Sequence, residues 1–265
     1  MINFKNKIVW ITGASSGIGE ALVYAFSREG AIVVISARNE VELNRVKQNS
    51  SSPDNVFIFP LDLSNHTEVF NVGQKIINQF GQIDVLINNA GVSQRSLASE
   101  TAFNVDESLI STNFLGTVAV TKSILSKMIE QRAGYIVTIT SIVGKIGTPM
   151  RSSYSASKHA LHGFFDSLRA EIDDKNVKVL LVCPGFVKTN VSINAFNAEG
   201  DKQGTMDNAT ENGLDPDYVA QQIIKAIQSN KEEVMIAGSK EKMGVLLKRF
   251  FPALFSRIIK KSKVT

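Results

Sequence analysis

The stretch IVWITGASSGIGEALVYAF, residues 8–26, sets three glycines, Gly13, Gly17 and Gly19, between a β-branched apolar run and a helix-like segment. Glycine weakens strands and helices alike, so three this close mark a turn that something approaches at the backbone. The spacing G-x-x-x-G-x-G closes a strand and opens a helix. Such a junction offers free N–H groups and the positive end of a helix dipole, with no side chains in the way, and suits a diphosphate. Its position in the first strand–helix junction points to dinucleotide binding rather than a plain turn.

Outward from this turn, apolar runs alternate with helical periodicity. The runs are 8–12, 32–36, 56–60, 83–88, 135–140, 177–183 and 233–237. They are short, β-branched and apolar on both faces, as parallel strands between two helix layers read. Segments 17–29, 39–49, 65–80, 106–131, 152–174 and 215–229 repeat apolar residues at three and four positions, as helices do. The pattern predicts an α/β fold, a Rossmann-like doubly wound parallel sheet of about seven strands with helices on both faces. It occupies one domain, residues 1–238, followed by a basic, apolar, helical C-terminal tail, 239–265. Residues 185–214 are long, polar and rich in Gly and Asn, and read as a functional loop.

Composition narrows the function. The 265 residues are 43% hydrophobic, enough for one core. The lone Cys183 forms no internal disulfide and is compatible with a reducing compartment. His66, His159 and His162 lack metal-ligand spacing, so no metal is expected; His159 and His162 read as helix-surface or interface residues. The formal net charge is +4, yet Lys240–Thr265 holds eight basic residues and one acid, so the preceding 239 residues carry −3. A negative body argues against nucleic acid as a partner. The N-terminus MINFKNKIVWITG lacks the regions of a signal peptide, and no apolar run nears the roughly 18 residues that span a bilayer. The expected location is cytoplasmic, with a peripheral position at a membrane surface as the alternative.

The end of the second strand selects the cofactor. A NAD site places an acid there for the ribose 2′-hydroxyl. Here Ser36 and Ala37 stand in its place and Arg38 follows. A guanidinium suits a 2′-phosphate, so NADP is expected over NAD. Asp62, in LDLS at 61–64, either accepts from an adenine amino group or caps the next helix. NNAG at 88–91 brings Gly91 and two amides to the strand ends, where such sheets bind ligands.

The chemistry resides in SSYSASK, where Tyr154 and Lys158 are four apart and share a helix face. A nearby ammonium favours phenolate, so the pair makes a proton donor and acceptor without metal or histidine. Ser141, at the end of the fifth strand, is placed to hold a substrate oxygen. Asn113 is a polar residue inside the helix expected over 106–131.

TGASSGIG, NNAG, Asn113, Ser141, Tyr154 with Lys158, and Pro184–Gly185 together resemble the classical short-chain dehydrogenases/reductases over about residues 5–238. The resemblance implies hydride transfer between a nicotinamide and a carbonyl/alcohol pair. It implies Tyr154 as acid/base, Lys158 on the nicotinamide ribose, Ser141 on the substrate oxygen and Asn113 anchoring a relay water. It carries the cofactor site to Gly13, Ser15, Ser16, Gly17, Ile18 and Gly19, to Arg38, and to Asp62 and Leu63. The same site takes in Asn89, Ala90, Gly91, Tyr154, Lys158, Pro184, Gly185, Val187 and Thr189. A homodimer or homotetramer through 106–131 and 152–174 is implied as well. The segment NAFNAEGDKQGTMD (194–207) and the basic tail loosely resemble the dehydrogenase/reductase member seven-like subgroup.

Some alternatives remain open at this level. Phe186, Val191, Ile193, Phe196 and Met206 either line a pocket for an apolar carbonyl/alcohol substrate or pin the loop. A 3-oxoacyl-thioester reductase is the rival enzyme, its basic tail attracting an acidic carrier. A non-catalytic dinucleotide-binding or membrane-associated scaffold protein is the rival from another class. The tail either lies in an anionic membrane interface or packs on a subunit or over the site mouth, and Pro252 bends or breaks its helix.

Overall fold

The structure is a computed structural model and describes residues 2–261. Seven strands form one sheet: β1 (Ile8–Thr12), β2 (Ile32–Ser36), β3 (Val56–Ile58), β4 (Val85–Asn88), β5 (Gly134–Ile139), β6 (Val177–Pro184) and β7 (Glu233–Ile236). All neighbours run parallel, in the order β3-β2-β1-β4-β5-β6-β7. The chain winds outward from β1 to β3, then crosses to β4 and winds the other way. The β1/β4 boundary is therefore the switch point where such sheets open a crevice at their strand ends.

Alternation along each strand builds two cores. Val9, Ile11, Val33 and Ile35 face α1 (Gly17–Arg28), α2 (Glu40–Gln48) and α8 (Pro216–Gln228). Ile8, Trp10, Val34 and Ile136 face α3 (His66–Phe80), α5 (Thr117–Gln131) and α6 (Ser152–Glu171). Trp10 is fully buried, its indole N–H donating to Ser36 Oγ at 3.0 Å. Burying a side chain of that size stabilises by roughly 3 kcal/mol.

The expected helix over 106–131 is three pieces: α4 (Phe103–Ile110), a π-type stretch (Ser111–Gly116) and α5. The wider turn accommodates one extra residue and rotates Asn113 into the interior. Gly116 permits the close pass at Leu63, since a Cβ there would lie 2.5 Å from the Leu63 carbonyl oxygen.

The tail is helical. After a short α7 (Asn208–Glu211), α8 and β7 come α9 (Ser239–Phe250) and α10 (Pro252–Ile259). Pro252 occupies the first turn of α10, where its missing N–H is harmless, and so divides the tail into two helices. Phe255, Val245, Leu247 and Ile259 pack on Ile142, Ile146 and Cys183. Lys263 lies outside the described residues.

Candidate active site

The cavity at the sheet's C-terminal ends measures about 1520 Å³. That exceeds the usual range for one small ligand and leaves room for a dinucleotide beside a substrate. Every loop that leaves the end of β1, β2, β4, β5 or β6 contributes to it.

At one end stands the glycine turn. Gly13 (φ +65°) and Gly17 (φ +59°) occupy the left-handed region. A Cβ on Gly13 would lie 2.7 Å from Ala90 Cα, and one on Gly19 would lie 2.2 Å from the Gly13 carbonyl oxygen. Gly19 therefore packs the helix onto the turn and does not line the cavity, whereas Gly13, Ser15, Ser16, Gly17 and Ile18 do. Asn89 Nδ2 donates to the Thr12 and Gly13 carbonyls at 3.0 and 3.1 Å and fixes the turn. Asn39 caps α2 and Asn65 caps α3, but the Ser16 side chain makes no such bond to α1. The bare helix start and the Cβ-free cradle fit a diphosphate.

Arg38 is exposed at the rim, and Asp62, Leu63, Asn89, Ala90 and Gly91 line the same wall. Asp62 accepts the N–H and O–H of Ser64 at 2.9 and 2.8 Å. It is not the cap of α3; that role falls to Asn65, which corrects the capping alternative. Pro184, Gly185, Val187 and Thr189 line the cavity too, Thr189 close to the turn at Gly17.

Ser141, Tyr154 and Lys158 also line the cavity. Gln94 Oε1 accepts the N–H groups of Ser153 and Tyr154 at 3.0 and 3.3 Å, which caps α6 and sets the tyrosine's pose. Lys158 Nζ donates to the Ile139 carbonyl at 2.9 Å and lies 5.9 Å from the Tyr154 ring centre. Burial pushes the Lys158 ammonium down to about 8.

Tyr154 sits among cations. Burial raises its phenol above the ordinary value, and the opposing influences are the charges of Arg151 and Arg95 and a hydrogen bond with Ser141. Arg95 Nε and Nη2 lie 2.7 and 2.5 Å from Asp207 Oδ2, and Arg151 Nη2 lies 3.5 Å from the same oxygen. Two buried guanidiniums thus approach one carboxylate, and the charges of both act on the phenol. Desolvation, with Arg95 close by, pushes Arg151 down to about 10.

Asn113 is brought near but not into the cavity lining. Its Oδ1 accepts the Val92 N–H at 2.8 Å, and its Nδ2 donates to the Val92 carbonyl and Ser157 Oγ at 2.9 and 3.0 Å. Its side chain clamps the Gly91–Val92 segment to α6. Of the five loop apolar residues, Phe186, Val191 and Phe196 line the cavity; Ile193 and Met206 do not, and Met206 Sδ accepts the Ser192 hydroxyl at 3.1 Å.

The profile of the short chain dehydrogenases matches residues 7–200. The chain belongs to the short-chain dehydrogenase/reductase family. This short-chain dehydrogenase is similar to the Dehydrogenase/reductase SDR family protein 7-like of Anopheles gambiae, 41% identical over 98% of this chain and 84% of that protein. It is 40% identical to the Dehydrogenase/reductase SDR family member 7B of Mus musculus, over 96% of this chain and 80% of that one. Its fold is shared with a short-chain dehydrogenase/reductase from Burkholderia phymatum in complex with NAD, with TM-score 0.86, 24% identity and 96% of each chain covered. It is also similar to an alcohol dehydrogenase from Thermococcus sibiricus complexed with 5-hydroxy-NADP, with TM-score 0.75, 25% identity, and 88% and 96% covered.

Several residues of this short-chain dehydrogenase's site were not apparent from its motifs. Arg95 and Asp207 are far apart in sequence and carry no spacing signal. Glu241 reaches from α9 to accept the Phe186 N–H at 2.8 Å, so the tail roofs the cavity. The only available hint was that Glu241 is the lone acid in a basic tail. His162 corrects the surface expectation: it is buried, 3.8 Å from Cys183 Sγ. His162, Cys183 and Glu233 group within 4.8 Å. Glu233 is engaged by Lys145 at 2.5 Å, and the imidazole turns different nitrogens to the thiol and the carboxylate. The carboxylate is thus paired with Lys145, and the imidazole sits between it and the thiol.

Proposed function

We propose that this chain is an NADP(H)-dependent carbonyl reductase, or secondary-alcohol dehydrogenase in reverse, with Tyr154 as the acid/base. One observation carries the reading: Ser141, Tyr154 and Lys158 converge in the cavity whose other end is the Cβ-free glycine cradle. The bound nicotinamide supplies the hydride that the carbonyl carbon receives. Tyr154 Oη donates its proton to the carbonyl oxygen as negative charge grows there, so hydride and proton together make the alcohol. Ser141 Oγ donates a hydrogen bond to the same oxygen, and the Arg95–Arg151 charge favours the resulting phenolate. Lys158, on the same wall, holds the ribose hydroxyls.

The exposed Arg38 guanidinium, with no acid at the end of β2, supports NADP over NAD. Val143, Ile146, Phe186 and Val191 along the cavity support an apolar substrate. The relatives named as dehydrogenase/reductases support the reaction class. The test is NADPH consumption against ketones, aldehydes, quinones, steroids and 3-oxoacyl thioesters, with NADH in parallel. The expected result is turnover with kcat/KM at least roughly tenfold higher for NADPH, the value of one bidentate phosphate contact. No turnover across the panel, or preference for NADH, overturns the reading.

A further inference from the structure

The outer face of α9 and α10 is apolar without being core. Met243, Leu246 and Phe250 follow one another at three- and four-residue spacing along α9, and Leu254 and Ile258 are four apart on α10. Met243 is 61% exposed and Phe250 65%. The core demand of both helices is met on the other side, by Val245, Leu247 and Phe255. Exposed large apolar side chains repeated along one side in this way mark an interaction surface.

Charge identifies the partner. Lys242, Arg249, Arg257, Lys260 and Lys261 are exposed on the two helices and just beyond, whereas Lys248 turns back over the Phe255 ring. The one acid of this segment, Glu241, is turned inward onto the N–H groups of Phe186 and Gly238. The face therefore presents apolar side chains fringed by positive charge alone. A second copy of the chain would set like charges against each other. Lysine and arginine stems beside buried apolar side chains are the arrangement that sits in an anionic headgroup layer. Among the described residues no helix is long and apolar enough to cross a membrane.

We propose that this face docks on an anionic phospholipid bilayer, which sets the cavity mouth at the boundary between headgroups and acyl chains. The mouth belongs to the same patch, because the exposed Met243 and Ile258 also line the cavity. An apolar substrate dissolved in the bilayer then enters without crossing water. That last step rests on the reaction assigned above; docking itself does not, and is measured without substrate.

The experiment is co-sedimentation of the full chain with vesicles of phosphatidylcholine alone and of phosphatidylcholine with phosphatidylglycerol. Two double variants, F250D with L254D and K242E with R249E, change side chains outside the cavity lining. Binding is expected to the anionic vesicles, weaker in high salt, and reduced at least roughly tenfold in each variant. A Phe250→Trp variant gives a readout that needs no loss of binding: Trp10 is fully buried, so quenching by brominated acyl chains reports on residue 250. No sedimentation, equal binding to neutral vesicles, or no quenching overturns the proposal. Size-exclusion showing an oligomer that F250D with L254D dissolves, with no vesicle binding by the unaltered chain, assigns the face to a second copy and overturns it too.

Discussion

Glu241 Oε1 accepts a hydrogen bond from the backbone N–H of Phe186 at 2.8 Å. This bond joins the first turn of the tail to the segment that follows β6, and Gly185 allows it, since a Cβ there would lie 2.1 Å from the same oxygen. Glu241→Ala leaves a half-buried N–H without its partner, which costs about 1–3 kcal/mol. Thermal unfolding is expected to fall accordingly, with KM raised for cofactor and substrate. Glu241→Gln keeps an acceptor oxygen and is expected to retain most of both.

Tyr154→Phe removes the proton donor and leaves the cradle untouched. NADPH binding, read by fluorescence titration, is expected to be unchanged while kcat falls about 10²- to 10⁴-fold. Near-normal turnover would take the tyrosine out of its assigned role.

Arg38→Asp replaces the proposed phosphate partner with the acid that suits a ribose 2′-hydroxyl. The ratio of kcat/KM for NADPH to that for NADH is expected to invert. An unchanged ratio would leave Arg38 as a solvated loop residue.

Asp207→Asn removes the carboxylate shared by Arg95 and Arg151. Leaving buried charge without compensation costs about 3–5 kcal/mol, read by denaturant unfolding. One negative charge fewer then offsets the guanidiniums that act on Tyr154, so the limb of the pH–rate profile due to the phenol is expected to move to lower pH.

His162 gives the acid limb of stability. Burial, helped by Lys145, holds its imidazole down to about 4, against 6.5 when free, although Glu233 and Asp166 pull the other way. Above 6.5 neither the folded nor the unfolded state is protonated there. As pH falls from 6.5 through 4 the unfolded chain takes up the proton first, and roughly 3 kcal/mol of stability is lost. His162→Gln is expected to flatten urea-unfolding stability across that window, and an unchanged slope would place the loss elsewhere.

Local pattern was enough for much of this molecule. Strand–helix alternation required a doubly wound sheet because each run is apolar on both faces. Gly13, Gly17 and Gly19 marked the cradle because their conformations and clearances follow from a few neighbouring residues. Tyr154 and Lys158 shared a face because helices repeat every 3.6 residues. Only the tertiary structure decided what surrounds them. It set Arg95 and Asp207 in contact across 112 positions of chain, turned Asn113 inward through a π-type stretch, buried His162 against Cys183 and laid Glu241 on Phe186. Contacts between residues distant in sequence depend on how whole elements pack, and desolvation depends on everything packed around a group. The cations that act on the phenol, and the side of the tail left bare, are therefore properties of the folded chain rather than of any motif within it.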